Sequence, residues 1–535
     1  MTTTREPAVT APAAQAPVEQ QGRMTHRQIL EALSGMLLAM FVAFLSSTVV
    51  SNALPTIITD LRGSQSQYTW VVTATLLAST ASTPIWGKLA DLFSKKLLIQ
   101  LSIVVFIVGS MLAGLSQSVG TLIGWRVLQG LGLGGLQALV QIAMAAMISP
   151  RERGRYSGLL GAVMAVATVG GPLLGGLLVD TSWLGWRWCF YVGVPFAAVA
   201  LVLLQRTLHL PVTKRRVRID YLGATFLAAG VSGLLIWVTL AGDRFAWASV
   251  ETALFLAGST LAVVAFVVTE LRAAEPIVPL RLFRDRTTTL AIVASVAIGV
   301  AMFGSTVFLG QYLQISRGYS PTAAGLLTIP MVGGLLLSST VSGLLITRYG
   351  RWKRYLVAGS LLVVAGFGLL STIDHETDMV LLGVFLFVLG VGIGMTMQNL
   401  VLAVQNTVAA SDLGAASSAV AFFRSLGGTI GVSVLGAVLS SRVTTLITAG
   451  LPPEVAAAGS GSGSVGLADL KDAPPAIQEL IRVSYGDATG RIFLVSAVIA
   501  VVAVAAILLV REVALRTESG EERLAREAEP VSEAA

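Results

Sequence analysis

The residues best suited to chemistry in this 535-residue chain are polar and charged groups set inside or beside long apolar runs. Arg126, in GWRVLQGLGLGG, lies within such a run, with Gln129, Gly130 and Gly134 on nearby turns. A charge in an apolar helix is costly unless it faces a bundle interior or an aqueous cavity, so Arg126 is a functional candidate by default. Asp91 stands in GKLADLFSKK, between two apolar runs, with Gly87 ahead of it and Lys95 and Lys96 behind. A degraded copy, GLLITRYGRWKR, spans Gly343 to Arg354: Thr347 takes the acid's place, and Arg348, Gly350 and Arg351 close the turn. A repeat of this kind is what duplication of a two-halved membrane carrier leaves behind. Nucleophilic and metal chemistry find no support. Cys189 stands alone, His26, His209 and His375 fall in the tail or in loops, and no GxxxxGKS loop is present, so the chain reads as neither an enzyme nor a metal or cofactor binder.

The elements that must carry these residues are membrane helices. Apolar residues make up 54% of the chain, charged residues 12%, and mean hydropathy is +0.79, far outside the range of soluble domains. Spans of bilayer length fall near 30–52, 68–90, 97–116, 121–147, 156–180 and 188–207, then two near 220–241 and 250–270. Six more follow near 288–313, 321–347, 355–372, 378–404, 414–441 and 491–511, which gives fourteen. The organisation expected is a disordered tail over 1–28, a six-helix bundle over 29–207, two extra helices with linkers over 208–287, a second bundle over 288–511, and a tail over 512–535. A long outer loop, about 442–490 and containing GSGSGS, reads as flexible linker. The net charge of +7 lies in alternate short loops, at Lys95-Lys96, Arg151-Arg153-Arg155, Lys214 to Arg218, Arg281 to Arg286 and Arg348 to Arg354. That distribution marks cytoplasmic loops, not nucleic-acid binding, and puts both termini in the cytoplasm of a plasma-membrane (inner-membrane) protein.

On these motifs the chain resembles the major facilitator superfamily, and within it the fourteen-helix drug:proton antiporter branch, over nearly its whole length after the tail. The resemblance implies an all-α membrane fold of two six-helix bundles plus two extra helices. It also assigns roles. Asp91, with Gly87, Lys95, Lys96, Arg348, Gly350 and Arg351, would gate the inner side, the acid meeting a helix end of the opposite bundle, where the helix dipole favours negative charge. Arg126, Gln129, Gly130 and Arg424, the last in FFRSLGGTIG, would belong to the coupling machinery. GGPLLGG on the fifth span, with Gly171, Pro172, Gly175 and Gly176, matches the superfamily's exporter motif; its proline and glycines would allow a kink and close approach to a helix of the other half. The first span ends LSSTVVSNALPTI, where Ser46 replaces the embedded aspartate usual in the branch, Thr48 remains, and Asn52 lies one place past the usual asparagine. Serine does not titrate in the working range, so proton coupling rests on the resemblance alone.

The candidate substrate cavity is therefore polar without being acidic. Ser46, Thr48, Asn52, Gln137, Gln141, Gln311, Tyr312, Gln314, Gln398 and Asn399 offer donors and acceptors, with methionines and phenylalanines as adaptable apolar surface. The function expected is proton-driven export of amphipathic drug-like compounds by alternating access from a monomer in the bilayer, whose partners are a lipophilic substrate and protons. Export of one lipid or secreted metabolite, without need of an acid on the first span, is the alternative.

Overall fold

The computed structural model describes residues 25–63, 65–181, 183–208, 220–241, 245–273, 275–450 and 474–528. Residues 1–24 of the tail expected over 1–28, the basic run Lys214 to Arg218 and the GSGSGS stretch lie outside the described residues.

The first bundle comprises α1 (His26–Asp60), α2 (Gln65–Leu92), α3 (Lys95–Gly114), α4 (Val119–Met147), α5 (Pro150–Asp180), the short α6 (Trp188–Tyr191) and α7 (Val194–Thr207). Two further helices follow, α8 (Tyr221–Leu240) and α9 (Val250–Arg272). The second bundle holds α10 (Arg286–Gln311), α11 (Pro321–Leu327), α12 (Ile329–Tyr349), α13 (Lys353–Leu370), α14 (Met379–Thr407), α15 (Leu413–Gly450) and α16 (Pro475–Leu509). A last helix, α17, spans Gly520–Ala528. Among the described residues thirteen helical spans are long and apolar enough to cross a membrane. The 28-residue α2 is long enough to be a fourteenth; its many Ser and Thr residues lower its hydropathy.

Each bundle has its own apolar core. Leu33, Met36, Ile99 and Ile103 anchor the first, and Leu356, Phe367, Leu386 and Phe493 the second. The two extra helices do not stand apart, because Leu227, Val231 and Phe266 pack with Ala81 of α2 and Phe422 of α15. Outward-facing Leu254, Leu261, Leu337 and Val498 supply the apolar surface that lipid would cover.

Three expectations change in detail. The N-terminal helix starts at His26, because Thr25 forms a capping box with Gln28. Of the outer loop expected over 442–490, the described stretches 442–450 and 475–490 are helical, since α15 continues to Gly450 and α16 begins at Pro475. Polarity there marks where the chain leaves hydrocarbon, not where the helix stops. The tail after 511 contains α17, whose first turn carries Glu521 and Glu522 in keeping with the helix dipole.

Candidate functional site

At the end of the molecule where the basic loops gather, the two bundles meet. The Asp91 carboxylate accepts hydrogen bonds from the backbone N–H groups of Gly414 and Ala415, at 2.8 and 2.9 Å. These donors exist because α15 begins at Leu413, so its first N–H groups have no intrahelical partners. Backbone contact makes the approach possible: a Cβ on Gly87 would stand 2.9 Å from the Gly414 carbonyl oxygen. The second motif copy meets the first bundle in the same way, for a Cβ on Gly154 would come 2.8 Å from the Gly343 carbonyl carbon. The other motif residues take outer positions. Gly350 adopts φ +71° to end α12, Arg348 stacks on Tyr349, Arg351 is exposed, and Lys96 donates to the Gln205 carbonyl at 2.8 Å. Lys95 is half-buried, and Lys88, one residue past Gly87, pairs with Glu275 at 2.7 Å.

Two polar bridges between the bundles lie at the same end. Arg153 is buried and donates to Gln405 of α14 and, at 2.9 Å, to the Ile148 carbonyl; Gln405 in turn donates to Ser417 of α15 at 2.7 Å. The sequence puts Arg153 among the bases that mark cytoplasmic loops; its neighbours Arg151 and Arg155 are exposed while it is not. Nothing in the RERGR run, Arg151 to Arg155, singles out its middle arginine. Gln141 donates to Gln398 at 3.0 Å, so these two expected cavity residues face each other across the seam. The void among Gln141, Arg153, Gln398, Asn399 and Gln405 is only about 20 Å³, room for about one water.

The chain's last described segment straps this seam. The Asn406 amide donates to the Ala514 carbonyl and accepts from the Arg516 N–H, at 3.0 and 2.9 Å, and the Trp352 indole donates to the Val513 carbonyl at 2.8 Å. On the other bundle the Arg151 N–H donates to the Arg516 carbonyl at 3.3 Å. Gly520 then fits between Leu413 and Ala145–Ala146, and Arg523, 1% exposed, donates to the Val408 carbonyl. Burial raises the Glu521 carboxyl to about 7, with Lys95 opposing the shift. Ending the chain at Arg511 is expected to raise labelling of an Ala146→Cys variant from this side, with membrane insertion unchanged. Equal labelling of the full and shortened chains would show that the strap does not cover the seam.

Deeper in the first bundle, Arg126 is 3% exposed, which rules out an interfacial side chain reaching for headgroups. Its guanidinium donates to Gln129 at 2.6 Å and to the Val71 carbonyl at 3.3 Å. The Gln129 amide donates onward to Ser110 at 2.8 Å and to Ser46 at 3.3 Å. No carboxylate pairs with Arg126 among the described residues. Ser46, itself 2% exposed, thus occupies the end of a chain of donors aimed at it, where an acid would be well received. Gly130 lets α4 lie against Thr75 of α2. Arg424 is half-buried and makes no ion pair or hydrogen bond among the described residues; its backbone carbonyl packs on Gly299.

The glycine-proline motif packs differently from the expectation. Gly171 sits against Thr48 of α1, in its own bundle, while Gly176 looks to the other half, where a Cβ would lie 3.8 Å from Thr322. Thr48 donates to the Ala167 carbonyl at 3.1 Å, which fixes the α1–α5 contact. Gly175 is buried, and α5 runs unbroken through Pro172. The remaining expected cavity residues differ in exposure. Tyr312 is fully buried and donates to the Asp374 carbonyl at 2.7 Å, so it anchors the end of the second bundle away from the basic loops. Asn399 is buried and donates to the Met395 carbonyl, Gln137 and Gln314 are half-buried, and Gln311 is exposed. The side chain of Asn52 lies outside the described residues.

Comparison with known proteins agrees with this architecture. The profile of the Major Facilitator Superfamily matches residues 36–432. An uncharacterised MFS-type transporter of Mycobacterium tuberculosis is 38% identical over 486 residues, covering 90% of this chain and 69% of that protein. The multidrug transporter protein MdtP of Bacillus subtilis is 33% identical over 436 residues, covering 82% and 80%. Among solved structures, the proton:xylose symporter XylE aligns with a TM-score of 0.60 at 15% identity, over 94% of this chain and 100% of that one. At that identity the likeness concerns the fold alone.

Proposed function

Since this chain belongs to the Major Facilitator Superfamily, we propose that it is a secondary exporter in the plasma membrane. It moves amphipathic drug-like compounds out of the cytoplasm, with both termini and the basic loops inside. The observation that carries the reading is the seam at the basic end, where Asp91 of one bundle caps α15 of the other. A carrier that alternates access needs contacts that hold one side shut and can be broken, and backbone-to-carboxylate bonds between rigid bundles have that property. Arg153–Gln405, Gln141–Gln398 and the strap over 512–528 act with Asp91 as the inner gate. The glycine-proline motif and the relative named as a multidrug transporter, MdtP, support the export direction and the substrate class.

Proton coupling would run through the Arg126, Gln129 and Ser46 network, where the branch usually has an acid. Replacing Ser46 by Asp is expected to add a carboxylate that Gln129 can donate to, and to raise gradient-driven efflux of lipophilic cations several-fold. Unchanged efflux would put the coupling site elsewhere. The same feature favours a second reading, export of a specific lipid or secreted metabolite, because a buried arginine with no carboxylate partner is poor company for a cationic drug. Efflux of ethidium from cells, with and without a protonophore, separates the two: protonophore-sensitive efflux fits the first, and absence of any gradient-sensitive efflux excludes it.

A further inference from the structure

A cavity of about 980 Å³ opens on the outer flank of the second bundle, at the end away from the gate. Arg442 of α15 and Arg491 of α16 both line it, and both are exposed. Neither guanidinium has a hydrogen bond or ion pair among the described residues. Depth follows from the helix rise. Arg442 lies 29 residues beyond Leu413, or about 43 Å along α15 at ~1.5 Å per residue, while Arg491 lies about 27 Å from the inner end of α16 at Leu509. Against a hydrocarbon core of about 30 Å, both arginines fall at the outer boundary, in or next to the headgroup layer.

The lining changes character with depth in the same sense on both helices. On α15 the cavity is lined by Val438 one turn nearer the membrane centre than Arg442; on α16 by Leu494 nearer the centre than Arg491. Trp247, from the connection between the two extra helices, closes the outer side, the level at which tryptophan settles in membranes. The acid that also faces the cavity, Asp487, lies 3.7 Å from the His375 ring, so one negative charge stands against two arginines. A site with apolar walls toward the bilayer centre and, at the rim, two guanidinium groups unpaired among the described residues fits an acyl chain below and a phosphodiester above.

We propose that this cavity binds the headgroup phosphate of an outer-leaflet glycerophospholipid, with Arg442 and Arg491 as its ligands and Val438 and Leu494 against the first part of an acyl chain. The lipid sits where α15 and α16 meet the extra helices and fills the gap between them.

The test is native mass spectrometry of the full-length protein, delipidated in detergent and titrated with dioleoylphosphatidylglycerol. One tightly retained lipid is expected, with affinity lowered about tenfold or more in Arg442→Gln/Arg491→Gln, the loss of one charged hydrogen bond or more. Each single variant should fall between, and Arg62→Gln, an exposed outer arginine away from the cavity, should match the unaltered protein. Dioleoylglycerol, which lacks the phosphate, should not compete. Unchanged lipid affinity in the double variant overturns the proposal. So does competition by glycerol 3-phosphate as strong as by the lipid, which would make this a soluble-anion site.

Discussion

Replacing Asp91 by asparagine is expected to reduce transport by about tenfold or more, and to shift the protein toward the form open at the basic end. The carboxylate now accepts from two N–H groups at the first turn of α15, each bond helped by the helix dipole. An asparagine offers one acceptor, no charge, and an NH2 group that would point at a donor. The closed form loses about 2 kcal/mol by this change, which is about 30-fold in the ratio of the two forms. The open form, in which Asp91 and Gly414 are apart, loses nothing, and this difference is what makes the change a gating one. Spin labels on the basic ends of α2 and α15 should report longer distances in Asp91→Asn. Asp91→Glu keeps the charge on a longer arm and should lie between. Normal export with unaltered distances in Asp91→Asn would remove Asp91 from the gate.

How much of this was legible beforehand depends on what each residue's neighbours in sequence say about it. Apolar runs of bilayer length are a property of consecutive residues, so the helices were readable where they cross hydrocarbon, while the polar ends of α1, α15 and α16, which run eight to sixteen residues further, were not. Asp91 stood out because its motif recurs, and the recurrence located both seam glycines. Arg126 stood out because its surroundings are apolar. Arg153 has none of these signals: it lies in a charged run, and only the packing of α5 on α14 makes it a buried bridge. Gln141 and Gln398 are 257 positions apart, so each could be recognised as polar within a span, but not as the other's partner. The strap was missed for the opposite reason. The charge-rich segment GEERLAREA has the composition of a solvated tail, and Arg523 is buried only because the helix lies across the joint between bundles.

The second large effect is expected at Gly154, and it bears on why the repeated motif has kept its acid in one copy only. Gly154→Val would place side-chain carbons where the Gly343 backbone now lies, the first of them within 2.9 Å of the Gly343 Cα. Overpacking of this kind costs about 1–3 kcal/mol, and only when the seam is shut, so export should fall about tenfold while the bundles remain folded. Gly333→Val is the control, since a Cβ there meets nothing within 4 Å. Near-normal export by Gly154→Val would mean that α5 and α12 do not close on each other during the cycle. The two seams are alike in their glycines but not in their donors. At α15 the motif meets a helix two residues past its start, where N–H groups are free for a carboxylate. At α5 the helix starts at Pro150, and by Gly154 the free first turn has been passed; the Arg153 N–H already bonds to the Ser149 carbonyl at 3.0 Å. An acid at position 347 would find no such donors, and Thr347 instead turns its hydroxyl to its own helix, donating to Gly343 at 3.0 Å. One seam is thus held by a charged contact and the other by close packing, so, if they form the proposed gate, charge removal should open the first and added bulk the second.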